Sequence, residues 1–193
     1  ESLKKGEVTT LPGVNTIADG TAVKTPGKNI FPYIQKNLDD IITVPDEELV
    51  VAFLDIVENH KMVVENSGLL TVAALKHLNV QNQRVVSILS GGNMDIITMS
   101  SVVQQGLIFR DRIFTVSVLL PDKPGMLSKV ADVIAKENGN VIKLEHNQFV
   151  SINRSAAVEL RITLETFGTE HKNQIIKALE EKGYQPKQVR TNI

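Results

Sequence analysis

Two patterns predict an α/β chain built from two unlike parts. In the first half, short continuous apolar runs at 41–44, 62–64 and 85–89 alternate with stretches of helical periodicity. In the second half, the runs at 113–120 and 156–165 alternate apolar and polar residues, with helical stripes between and after them. Apolar runs separated by helices indicate βαβ units and a parallel sheet. Their unbroken hydrophobicity predicts strands buried on both faces, whereas strict alternation predicts strands with one covered face. The segment GLIFRDR, 106–112, brings in charge and reads as a linker, giving parts at 1–107 and 112–193.

Each element follows in order. The opening ESLKKGE reads as a helix entered part-way. Residues 1–31 carry the turn formers Gly6, Pro12, Gly13, Asp19, Gly20, Pro26 and Gly27, and read as ordered loop. A short helix is expected at 31–37. The next helix opens with Asp46 as N-cap and acids in its first turn, which suit the helix dipole. It carries Leu49, Val50, Phe53, Ile56 and Val57 at helical spacing. Further helices are expected at 68–78 and 94–105. Three strands are few for a self-sufficient doubly wound sheet, which predicts a partial domain lacking neighbours.

Beyond the linker, Phe114, Val116, Val118 and Leu120 share one face of a strand. Pro124 suits the first position of a helix and Gly139 the position past its end, with Leu127, Val130 and Ile134 as its stripe. Strands are expected at 140–150, 156–165 and 185–189. A last helix at 170–182 carries Ile175, Ile176 and Leu179. The order βαββαβ is the ferredoxin-like arrangement. Two helices cover one sheet face, and the other favours dimerisation through the sheet.

Composition excludes several classes. The 193 residues carry a net charge of −1 with both signs dispersed, which argues against nucleic acid or an anionic membrane as partner. No apolar run approaches the roughly 20 residues needed to span a bilayer, and no charged-then-apolar leader opens the chain. There is no cysteine, so no disulfide and no thiolate chemistry, which fits a cytoplasmic protein. With no Trp and 4% aromatic residues, the cores must be aliphatic. The histidines His60, His77, His146 and His171 lack metal spacing, and no metal site is expected.

Two constellations carry chemistry. In the first, Ser90-Gly91-Gly92-Asn93 follows an apolar run and precedes a helix, placing N–H groups and a hydroxyl where α/β sheets bind ligands. The glycines would admit a flat ring close to the backbone. A tight strand-to-helix turn would need the same glycines.

This stretch belongs to a wider likeness. TIADGTAV (16–23), the DDI-TV-DEEL pattern (39–49), VENSGLLTVAAL (64–75) and VVSILSGGNMD (85–95) occur in order. With them, residues 8–104 resemble the second half of the catalytic domain of the threonine and serine dehydratases, pyridoxal-phosphate (PLP) enzymes of fold type II. The resemblance implies that Ser90 hydrogen-bonds the PLP ring nitrogen. A serine hydroxyl does not protonate that nitrogen as an aspartate would, so the ring is a weaker electron sink, suited to β-elimination. It also implies that Glu65 approaches the cofactor or shapes its pocket, a helix-capping carboxylate being the other reading. Asn93 and the Asp19–Gly20 turn are further lining candidates. The family's S-F-K-x-R-G-A motif with its Schiff-base lysine, its glycine-rich phosphate cup and its cation-binding residues do not occur here. Lys24 and Lys28 match neither motif. The chain is therefore expected to hold PLP only as part of a larger protein, and to be inactive by itself.

The second constellation is LPDKPGML, 120–127. With it, residues 114–189 resemble ACT domains, small modules that bind amino acids between subunits. The resemblance implies an effector site at Asp122, Lys123, Gly125, Met126 and Leu127 in the loop and helix start. Asn140, Val141 and Ile142 would join them from the next strand. Asp122 has two readings, an ammonium partner or a helix cap. One of Met126 and Leu127 is expected to be core. His146 and Asn147 read as surface or interface groups. Together the resemblances imply the back half of an L-threonine ammonia-lyase with an isoleucine- or valine-binding regulatory domain, in a homodimer or homotetramer. A serine dehydratase or racemase relative, or a stand-alone amino-acid-binding dimer, are the alternatives.

Overall fold

The computed structural model describes residues 1–148 and 158–192. The chain forms two compact units, Glu1–Gly106 and Leu107–Ile193. The helices are α1 (Ser2–Lys5), α2 (Phe31–Asn37), α3 (Asp46–His60), α4 (Leu70–Ala73), α5 (Ile96–Phe109), α6 (Met126–Lys136) and α7 (Thr169–Glu181). Short 3₁₀ turns lie at Asp19–Thr21, Asn66–Leu69 and Ala74–His77. The strands are β1 (Ile113–Leu120), β2 (Asn140–Asn147), β3 (Val158–Glu165) and β4 (Lys187–Val189).

The first unit is organised by α3. Leu49, Val50, Ala52, Phe53 and Ile56 are buried on one stripe and meet Ala18, Val64, Leu69, Ala73 and Val102. This is the face predicted from helical spacing. Its start differs from expectation. Pro45 holds the N-cap position in extended conformation, no side chain caps the helix, and Asp46 is the first helical residue. The expected 68–78 helix is broken into two 3₁₀ turns around α4.

No strand forms among the described residues of this unit. The runs 41–44, 62–64 and 85–89 are irregular, and much of their apolar surface is exposed: Val86 is 89% and Ile88 71% exposed. A strand is defined by its neighbour, and here single bonds replace a ladder. Glu65 N–H donates to the Gly91 carbonyl at 3.2 Å, and the Thr71 hydroxyl donates to that of Ile88 at 3.0 Å. The apolar run at 85–89 has the composition of a two-sided buried strand without the neighbours that would make it one. The helix break expected at 106 does not occur. α5 continues to Phe109, and Gly106 is buried inside it, where a Cβ would come within 2.6 Å of Leu54. That glycine serves helix–helix approach, not helix termination.

The second unit is a four-stranded antiparallel sheet in the order β2-β3-β1-β4. Val116 pairs with Ile162 and Val118 with Leu160, so the even-numbered residues of β1 and β3 share one face. They enclose a core with Val130 and Ile134 of α6 and Ile175 and Leu179 of α7, all at most 2% exposed. This is the predicted βαββαβ order and the predicted face. Of the expected strands, β2 runs to Asn147 and β3 starts at Val158; the remainder, 149–150 and 156–157, lies outside the described residues. α6 begins at Met126 behind Gly125 (φ +83°), two residues after Pro124. Past its end Asn138, not Gly139, takes the left-handed conformation. Leu127, expected in the stripe, is 42% exposed, while Met126 packs on the core.

The opposite sheet face is polar. Thr115 and Thr163 hydroxyls pair at 2.9 Å, Ser117 Oγ donates to Glu159 Oε1 at 2.7 Å, and Arg161 Nε donates to the same oxygen at 3.0 Å. These bonds hold the Glu159 carboxyl below the ordinary carboxylate range, Ser117 contributing most. Lys143 likewise lowers Glu145.

Candidate functional site

In the first unit, three loops meet around Glu65. The 3₁₀ turn after it brings Gly68 onto the Ser90 segment: a Cβ at 68 would lie 1.8 Å from the Ser90 carbonyl oxygen. Gly91 has φ +73°, and its missing Cβ would lie 2.1–2.5 Å from the Glu65 carboxyl group. That carboxylate is oriented by Ser67, whose hydroxyl donates to Oε1 at 3.1 Å. Gly20 closes the third side, its Cβ position 2.5 Å from Ser67 Oγ. Glu65 therefore forms a wall against Gly91, and the helix-capping reading is not what the structure shows: Glu65 precedes the turn with no cap bond from its side chain.

Glu65 and Asn93 line a cavity of about 480 Å³ together with Thr16, Ile17, Asp19, Asn66 and the first turns of α5. Ser90, Gly91, Gly92 and Asn93 are all exposed. Asn66 is buried, and its Oδ1 has no hydrogen-bond partner among the described residues. Asp95 begins α5 by accepting from the N–H groups of Ile97 and Thr98, both at 2.9 Å, and from the Thr98 hydroxyl at 2.5 Å. These bonds, the hydroxyl foremost, hold its carboxyl low. Among the described residues no Lys, Arg or His lines this cavity. Of the residues expected at the cofactor, Glu65 and Asn93 line the cavity, whereas Ser90, Gly91 and Gly92 do not; at Gly91 the Glu65 carboxylate fills the space a Cβ would take.

In the second unit a pocket of about 310 Å³ lies under the β1–α6 loop. Asp122, Lys123, Gly125, Met126 and Leu127 line it with Leu120, Val158 and Leu160. From β2 the residue that reaches it is His146, opposite Leu160 in the ladder. Asn140, Val141 and Ile142 lie at the other end of that strand, where Asn140 Nδ2 donates to Glu165 at 3.0 Å. Sequence reasoning missed His146. The signal was available in the strand's period, which sets His146 on the same face as Leu144.

Comparison with known proteins assigns both units. Residues 1–91 match the family described as pyridoxal-phosphate dependent enzyme, and residues 114–183 match the ACT domain. The L-threonine ammonia-lyase of Geobacter sulfurreducens is 37% identical over 185 residues, 95% of this chain and 46% of that protein. A biosynthetic L-threonine dehydratase of Pasteurella multocida is 32% identical over 95% of this chain and 35% of its own length. The processed form of threonine deaminase isoform 2 from Solanum lycopersicum superposes with a TM-score of 0.50 at 29% identity, over 54% of this chain and 32% of that one. The chain thus spans less than half the length of these relatives. One chain thus carries a match to the pyridoxal-phosphate dependent enzymes at 1–91 and a match to the ACT domain at 114–183.

Proposed function

We propose that this chain is the part of an L-threonine ammonia-lyase that holds the ring edge of the cofactor and carries the regulatory domain. The observation that supports it most is the Glu65–Gly91 contact beside Ser90, in a chain that also carries the loop pocket at 120–127. When bound, pyridoxal phosphate supplies an electron sink for the bond broken at the substrate's Cα. Ser90 would face the ring nitrogen with a neutral hydroxyl, Gly91 and Gly92 would admit the ring, and Asn93 and Glu65 would flank it. The lysine and the phosphate cup would come from outside this chain. The test is turnover of threonine to 2-oxobutanoate and ammonia by a polypeptide that extends this chain through such a lysine segment. Turnover there, with none from the 193 residues alone, is the expected result. A longer polypeptide inert toward threonine but active on serine would replace the substrate.

For the second unit the proposed ligand is isoleucine or valine. The start of α6 would place helix N–H groups and the positive end of its dipole against a carboxylate. Asp122 would take the ammonium group, and Met126 and Leu127 would meet the aliphatic side chain; Lys123 and Gly125 complete the loop. Asn140, Val141 and Ile142 would serve a neighbouring copy's loop in a homodimer or homotetramer. Among the described residues no helix is long and apolar enough to cross a membrane; a cytoplasmic location is part of the same proposal. Coupling between effector and active site is typically about 1–3 kcal/mol and is reciprocal for binding. Titration of the chain with isoleucine, valine, threonine and serine tests the site. Selective binding of a branched-chain amino acid supports it, and silence from all four on a folded chain removes it.

A further inference from the structure

The acids that open α3 are not equivalent. Asp46 turns away from its helix, and its carboxylate accepts from the Thr16 hydroxyl at 2.6 Å and from the Ile17 N–H at 3.0 Å. Ile17 is held from its other side as well, where its carbonyl accepts from Asn66 Nδ2 at 3.0 Å. Thr16 Oγ1 accepts in turn from the Ala18 N–H at 3.1 Å, and the Thr21 hydroxyl donates to the Ala18 carbonyl at 2.9 Å. Ala18 itself is buried. Loop backbone is ordinarily served by water. Here both polar groups of one residue are bound by side chains from two separate elements.

The two residues that follow are Asp19 and Gly20, and Gly20 lies against Ser67 and Glu65. We infer that Asp46 is a positioning residue, latching the 16–21 loop so that the Asp19–Gly20 turn and Glu65 form one wall beside Ser90–Asn93. That this wall serves a cofactor rests on the function proposed above; the latch does not. A carboxylate is needed because two donors converge on it. An amide at 46 has one acceptor oxygen for these two donors, so its NH₂ must face either the Ile17 N–H, donor against donor, or Thr16, whose hydroxyl then loses its acceptor.

Hydrogen exchange on the 193-residue chain tests this with Asp46→Asn, Thr16→Val and Thr16→Ser. In Asp46→Asn the Ile17 and Ala18 amides exchange roughly tenfold faster or more, as expected on losing a charge-assisted bond. The Glu65 amide follows them. α3 keeps its protection, because Glu47 and Glu48 retain the first-turn charge. Thr16→Val reproduces the effect at Ala18, and Thr16→Ser restores it. If Asp46 instead only complements the helix dipole, Asp46→Asn loosens the first turn of α3 and leaves Ile17 and Ala18 at wild-type rates, which overturns the latch. In the longer polypeptide, Asp46→Asn should retain pyridoxal phosphate on dialysis roughly tenfold less well. Equal retention would sever the latch from the cofactor wall. A wild-type polypeptide that neither retains the cofactor nor turns over threonine would remove the proposed function, while the exchange rates would still decide the latch.

Discussion

Gly68→Ala is the most telling small change available in the first unit. A Cβ at this position would stand 1.8 Å from the Ser90 carbonyl oxygen and 2.9 Å from Val64 Cγ1. Real Cβ contacts do not fall below 3.0 Å, so the Ser90 backbone must retreat by roughly 1.2 Å. Overpacking of this kind costs about 1–3 kcal/mol, and the upper end applies because the obstacle is backbone, not a side-chain tip. Gly91→Ala is the matched control. Its left-handed φ costs about 1–2 kcal/mol, but the atoms it meets are the Glu65 carboxylate, which can swing aside at the loss of the Ser67 bond. The assay is urea unfolding followed by hydrogen exchange in α3, so that the first unit is read separately from the second. Gly68→Ala should destabilise more than Gly91→Ala. A Gly68→Ala chain within about 0.5 kcal/mol of wild type, the range of a neutral surface substitution, would refute the close approach of the two loops. So would a reversed order.

Other perturbations address the second unit. Ile134→Ala removes a fully buried side chain shared by α6, α7 and the sheet, and should cost about 2–5 kcal/mol in a thermal or urea melt. Leu127→Ala trims a half-exposed side chain at the loop pocket; its melt should stay within about 1 kcal/mol of wild type while isoleucine affinity falls. Isoleucine at about 100 times its dissociation constant should stabilise the unit by roughly 2.7 kcal/mol, read as a shift in the melt. Glu159 has a lowered carboxyl pKa in the folded state, so its contribution is present above the ordinary carboxylate range and lost as pH falls through the folded value. Glu159→Gln should flatten that acid limb in pH-dependent melts and change little near neutrality.

The second unit was legible in the sequence because its signals are local. Alternation in β1 and β3 names the buried face residue by residue, and the ladder pairs the residues so named. What sequence reading missed there concerns ends. Gly125 rather than Pro124 abuts α6, since the left-handed residue is needed where the loop turns into the helix. His146 was assigned by its chemistry, when its strand position already placed it at the pocket.

In the first unit the candidate residues stand out as strings, but their relations do not. The Glu65–Gly91 contact and the Asp46–Thr16 bond join residues 26 and 30 apart in the chain, and no periodicity reports such pairs. Asp46 shows the difficulty. Three acids at the start of a helix are fully explained by its dipole, so the sequence offers no reason to single one out. The three strand expectations failed for a related reason. Val85, Val86 and Ile88 have the composition of a strand covered on both sides, and composition reports the environment a segment was selected for. The fold adopted depends on whether that environment is present. The exposed Ser90–Asn93 edge lies at the end of that same exposed segment. Supplying those neighbours in a longer polypeptide should therefore do two things together. It should slow exchange of the amides at 85–89, and it should create pyridoxal-phosphate binding. Binding without that protection would mean the 85–89 run is not a strand in any state of the protein.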